Sequence, residues 1–138
     1  MASSFEFSIV APDKSVLDER AHSVVVPGLE GYFGVMAGHM PFIAALKPGI
    51  VEVNNDDRQE RHYIAVAGGF AEVTGDRVTI LADAAERASE IDIARAEKAL
   101  EEARRALRGE DSPTGTEEAV VALERAINRI KAAQLVKG

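Results

Sequence analysis

Residues 77–100 read RVTILADAAERASEIDIARAEKAL, and the texture of the chain changes inside them. Up to Ala82 the run is short, rich in Val and Ile, and follows a turn at Gly75-Asp76, which are the marks of a strand. After Ala84 the residues are Ala, Glu, Arg and Leu, all strong helix formers. Strands gathered before this point and helices after it make an α+β chain of two parts rather than an alternating α/β one.

Working back toward the N-terminus, the same strand signals recur in FEFSIVAP (5–12), HSVVVPG (22–28), GIVEVNN (49–55) and HYIAVAGGF (62–70). In the first, alternation puts Phe5, Phe7 and Ile9 on one face. NNDDRQE (54–60) is a polar hairpin loop, and FAEVTGDRV holds a second hairpin turning at Gly75-Asp76. Many short strands at close spacing predict a β-sandwich or barrel. With only 5% aromatic residues and no Trp, its core must be aliphatic.

Working forward, Ser89 followed by Asp92 predicts a helix start near residue 90. RGEDSPTGT (108–116) breaks that helix, and Thr114 or Thr116 is expected to cap a second, with Glu117 and Glu118 at the favourable end of its dipole. Two helices and a short loop predict an antiparallel hairpin. At 100° per residue, Ile93, Leu100 and Leu107 form one stripe of the first helix, Ala96, Ala99, Ala103 and Ala106 a second, and Arg95 lies beyond the alanines. The second helix repeats this order with Val120, Leu123, Ile127 and Ile130, then Ala119, Ala122, Ala126 and Ala133, then Arg125 and Arg129. If the alanine rows face each other, Arg95 comes level with Arg129 and Ala99 with Arg125. Guanidinium groups so gathered repel unless an anion or carboxylates sit among them, and Asp92 and Glu86 are the nearby acids. The plainer reading stands beside this: Asp92 is ordinary helix-start chemistry and the arginines are solvated.

Composition narrows the function. A net charge of −7 over 138 residues argues against nucleic-acid binding, which needs a basic face. Without Cys there is no disulfide framework or thiolate chemistry. No secretory leader or run long enough for a bilayer is seen, so a soluble, cytosolic protein is expected, with docking onto a membrane complex left open. There is no P-loop, and PGLEGYFG (27–34) spaces its glycines for turns rather than for phosphate. His22, His39 and His62 lack metal-ligand spacing, so no metal site is expected. No catalytic constellation is visible, and the chain is not read as an enzyme.

EGYFGVMAGHMPFIAALKPG (30–49), YIAVAGGFAEV (63–73) and VTILADAAERASEID (78–92) resemble the epsilon subunit of bacterial and chloroplast F-type ATP synthases. Gly38-His39-Met40-Pro41, the Gly68-Gly69-Phe70 turn and AERA (85–88) carry the likeness, which runs along nearly the whole chain. The resemblance implies a ten-stranded β-sandwich over residues 1–85 and a regulatory two-helix hairpin over 86–138. It implies a non-catalytic rotor subunit at the cytoplasmic face of the bacterial plasma membrane, without direct membrane insertion. The sandwich would bind gamma and the c-ring and help couple proton flow to ATP synthesis. The helices, extended into the alpha/beta catalytic head, would inhibit hydrolysis.

Some members bind ATP as a regulatory ligand through a motif I/L-D-x-x-R-A, complete here as Ile91, Asp92, Arg95 and Ala96 around two further residues. They add a Glu shortly before the motif, matched by Glu86, and two Arg of the second helix, matched by Arg125 and Arg129. At the c-ring the resemblance points to Glu30, Tyr32 and His39; many relatives carry an acid in that turn where this chain has Tyr32 and Phe33, leaving Glu30 as the nearby carboxylate. The competing reading from another class is a free-standing ATP-binding sensor. An enzyme built on a small barrel has almost no support.

Overall fold

The computed structural model describes residues 3–109 and 115–137, with the side chain of Lys137 left aside. The chain forms two compact units, residues 1–87 and 88–138. The first holds eight strands: β1 (Phe5–Ala11), β2 (Lys14–Ala21), β3 (Ser23–Gly28), β4 (Gly31–Met36), β5 (Phe42–Asn55), β6 (Glu60–Val73), β7 (Arg77–Ala82) and β8 (Ala85–Arg87). They hydrogen-bond in the order β2-β1-β7-β6-β5-β3-β4, with β8 pairing β6. All pairs are antiparallel except β1–β7.

The sheet folds over on itself, because strands from both ends of that order feed one core. Phe5, Phe7 and Ile9 of β1 are buried, as their alternation predicts, and pack in one cluster with Val24, Val26 and Val35 of β3 and β4. The core is aliphatic, with two Phe as its only fully buried aromatics among the described residues.

The strand count is eight, not ten. The difference lies in β5 and β6, each fourteen residues long, which stay in one register from Phe42↔Val73 to Asn55↔Glu60. They bend together without breaking. Along β6 the buried positions change parity, from Ile64 and Val66 to Ala71 and Val73. β5 makes the same change between Leu46 and Val51. A one-residue slip exchanges the faces of a strand, and here both strands slip together at Gly68 and Gly69, whose φ values are +111° and +122°. On the other side of β6, β7 and β8 continue one register across Asp83 and Ala84: Asp83 N–H donates to Gly68 O, and Ala67 N–H to Ala84 O. The expected domain boundary at 85/86 falls inside β8, which is held to β2 by Arg87 Nε–H donating to Val16 O at 3.1 Å.

In the second unit a 3-10 turn at Ala88–Glu90 leads into α1 (Ile93–Leu107); α2 runs Thr116–Lys137. The helix start is capped by Asp92 rather than Ser89: its extended backbone leaves the carboxylate free to accept from Arg95 N–H at 3.1 Å. Thr116 is already helical and Gly115 O accepts from Ala119 N–H, so Thr116 is not the cap of α2; Thr114 lies outside the described residues. The alanine rows are the buried face of the pair: Ala96, Ala103, Ala119, Ala126 and Ala133 are all below 5% exposed. Of the large apolar stripe, Leu107, Val120 and Ile127 stay more than a third exposed.

Candidate functional site

Two places gather the residues that sequence reasoning singles out. The first is on the helices. Small residues let α1 and α2 approach, and beside that contact lies an open groove of about 600 Å³, within the range of small-molecule sites. Ala99 of α1 lines it with Ala122, Ala126, Arg125 and Arg129 of α2. Ala99 and Arg125, expected level with each other, thus line the same groove. Glu117, Glu118 and Val121 complete the lining.

The motif residues divide. Asp92 spends one carboxylate oxygen on the helix cap, and no ion pair joins it to the Arg95 side chain among the described residues. Arg95 is exposed one turn before Ala99 and does not line the groove. Ile91 is half-buried just ahead of the cap, its N–H donating to Ala88 O at 3.2 Å. Ala96 is fully buried in the seam. Glu86 lies on β8, in the first unit. Sequence reasoning missed Glu117 and Glu118 as groove residues and read them only as dipole partners. Their spacing of eight and seven from Arg125 is two helical turns, the signal that places them on its face.

The cap role of Asp92 is testable apart from any ligand. Asp92→Ala is expected to destabilise the hairpin by about 1 kcal/mol and to reduce helical circular dichroism, whereas Asp92→Asn, an equally good cap, restores both. Equal loss in the two variants would show that the charge, not the cap, carries the effect.

The second place is on the sandwich, at the turns flanking β4. Glu30 sits exposed in the β3–β4 turn. His39 sits exposed in the β4–β5 turn, its Nδ1 at 2.9 Å from Met40 O. A carbonyl only accepts, so this contact puts a proton on Nδ1 and leaves Nε2 facing outward for a partner. The ring packs on Phe42, centroids 5.0 Å apart, and Phe42 meets Phe33 edge-on at 5.5 Å. Tyr32 is 53% exposed, but its hydroxyl is committed inward, accepting from Ile50 N–H at 3.0 Å. Elsewhere on the sandwich, Val10, Leu81 and Phe70 stand in register on adjacent strands β1, β7 and β6, all three exposed. They form a contiguous apolar row on the surface of the sheet.

These features accord with a subunit that binds partners rather than one that does chemistry, and family models match both units. Residues 4–88 match the beta-sandwich domain of the ATP synthase delta/epsilon chain, and residues 89–134 its long alpha-helix domain. The chain belongs to the ATP synthase delta/epsilon family.

Within that family it is 41% identical over 134 residues to an ATP synthase epsilon chain of Desulforamulus reducens, covering 97% of this chain and 100% of the relative. It is 45% identical to that of Syntrophobacter fumaroxidans, covering 97% and 98%. It is 50% identical over 107 residues to that of Koribacter versatilis, covering 78% and 74%. In structure it is similar to a chain of the Euglena gracilis mitochondrial ATP synthase, solved as the OSCP/F1/c-ring assembly, with a TM-score of 0.78 at 30% identity over 95% of this chain and 81% of that one. A chain of the Tetrahymena thermophila central stalk and c-ring shares the fold at 14% identity and a TM-score of 0.57, covering 95% of this chain and 97% of that one. This member is thus an ATP synthase epsilon subunit, a non-catalytic part of the complex. No helix among the described residues is long and apolar enough to cross a membrane.

Proposed function

We propose that the chain is a rotor subunit of the central stalk, coupling proton flow to ATP synthesis and restraining ATP hydrolysis through its helices, with ATP holding the hairpin closed. The observation that carries the ATP part is the groove in which Arg125 and Arg129 share a surface with Ala99. Two guanidinium groups one turn apart suit a phosphate chain, where charge-assisted bonds are strong. Asp92 and Arg95 are then the further candidates of the same unit, Asp92 for the adenine side.

On the sandwich, the apolar row Val10–Leu81–Phe70 is assigned to gamma, and Glu30, Tyr32 and His39 to the c-ring. The location is the cytoplasmic face of the bacterial plasma membrane, and the alpha/beta head is the partner of the opened helices. The support for these assignments is the family and the exposure of the residues concerned.

The test is ATP titration of the isolated chain with hydrogen exchange as readout. Millimolar ATP is expected to protect helix amides between Ile93 and Ala133. Arg125→Ala, which removes one or two charge-assisted bonds of about 1.5–3 kcal/mol each, should weaken the ATP response by about tenfold or more. Unchanged exchange in the wild type at millimolar ATP sinks the latch. Co-purification with gamma decides between a rotor subunit and a free-standing sensor.

A further inference from the structure

The ladder between β3 and β5 is interrupted at one place. From Ser23↔Asn54 to Val25↔Glu52 the register is regular; the next pair is Gly28↔Leu46. Continuing the regular register would set Pro27 opposite Ile50, and Pro27 has no N–H to give. The β3–β5 register instead shifts, with a bulge in β5 between Leu46 and Glu52, and the Ile50 N–H finds a partner in the hydroxyl of Tyr32, one strand further out on β4.

Tyr32 fits this task closely. It pairs with Pro27 across β3–β4, so its side chain crosses the proline to reach β5. Gly49 leaves the room: a Cβ there would lie 2.7 Å from the Tyr32 hydroxyl and 2.5 Å from Pro27 Cβ. Lys47 places its Nζ 5.7 Å from the centre of the Tyr32 ring, so the bulge is held from both ends. On the near side of the bulge, Leu29 N–H donates to Ala45 O, which ties the β3–β4 turn to the same strand.

We propose that Tyr32 is a positioning residue: its hydroxyl latches the β5 bulge and thereby fixes the Leu29-Glu30 turn relative to the His39 turn at the start of β5. Both turns project polar groups, the Glu30 carboxylate and Nε2 of His39, and their spacing decides whether one partner surface meets both. The side chain works through the bulge and not by touching the partner, which narrows the direct c-ring contact assigned above to Glu30 and His39. This inference rests on the reading that these turns face the c-ring.

The test uses the assembled gamma–epsilon complex and ring-bearing membranes, well below the unfolding temperature. Tyr32→Phe keeps the aromatic ring over Lys47 and removes only the hydroxyl. Exchange of the Ile50 amide is expected to rise about tenfold, and affinity for the membranes to fall about fivefold as the turns lose preorganisation. Gly49→Ala, whose Cβ would crowd both Pro27 and the hydroxyl, should also speed exchange of the Ile50 amide. Glu30→Ala and His39→Ala should weaken membrane binding while leaving the Ile50 amide protected.

If Tyr32→Phe speeds Ile50 exchange without altering affinity, while Glu30→Ala and His39→Ala do alter it, the residue is merely structural and the proposal is overturned. If affinity falls with the Ile50 amide still protected, Tyr32 touches the ring directly and the latch is wrong. If Glu30→Ala and His39→Ala change nothing, the docking reading fails, and the positioning role falls with it.

Discussion

Gly69→Val is expected to leave the sandwich largely unfolded. A Cβ at this position would lie 2.1 Å from Leu81 O, 2.9 Å from Ala82 Cα and 3.0 Å from Leu81 C, all backbone of the neighbouring strand. Backbone cannot rotate aside as a side chain does, so β7 would have to leave β6, and with it the core contacts of Val78 and Ile80. The φ of +122° adds strain for any residue with a Cβ, more for a branched one. Together these exceed about 4 kcal/mol, against a total stability of about 5–15 kcal/mol for a domain. Gly38→Ala is the control. Gly38 also has a positive φ, +81°, but a Cβ there meets nothing within 4 Å, so only the conformational term of about 1 kcal/mol remains. Urea unfolding of the two variants checks this. A Gly69→Val midpoint no lower than that of Gly38→Ala would mean that the bend is held some other way.

That bend is also where sequence reading stops. Alternation of Phe5, Phe7 and Ile9 names the core face of β1 because the strand is straight and one face is solvated. β5 and β6 defeat the same reasoning. Their inward positions change parity midway, so a single period fits neither strand, and counting them as one or two becomes arbitrary until the register is seen. Gly68-Gly69 is visible in the sequence, but not that β5 slips with it. On the helices, the alanine rows were legible because small residues at helical spacing have few uses other than close approach, and they bring Ala99 beside Arg125. Arg95 was less legible. A wheel gives the direction of a Cα–Cβ bond, while the long side chain above it goes where solvation and charge take it. The Tyr32 latch was illegible for a different reason: it depends on Pro27, Gly49 and Ile50, three residues of two other strands, meeting at one bulge.

Ending the chain after Arg87 is expected to free ATP hydrolysis in the assembled enzyme while leaving the sandwich folded and bound to the rotor. Among the described residues, every member of the buried cluster precedes Ala85 and no strand lies beyond Arg87. The helices bury their own seam of alanines and form a compact unit of their own. The position of the cut matters. β8 pairs with β6 and its Arg87 bonds Val16 O, closing the sheet toward β2. Stopping after Ala84 removes that strand and should lower the stability of the sandwich by about 1–3 kcal/mol, chiefly the lost hydrogen bonds. With the cut after Arg87, hydrolysis is expected to rise about fivefold or more, the scale of a regulatory coupling of about 1–3 kcal/mol, and ATP should no longer modulate it. Steady-state hydrolysis by the reconstituted complex, with sedimentation to confirm that the truncated chain is still bound, measures both. A bound, folded truncation that hydrolyses ATP no faster than the full chain would remove the brake from the function of these helices. The groove at Arg125 would then need another purpose.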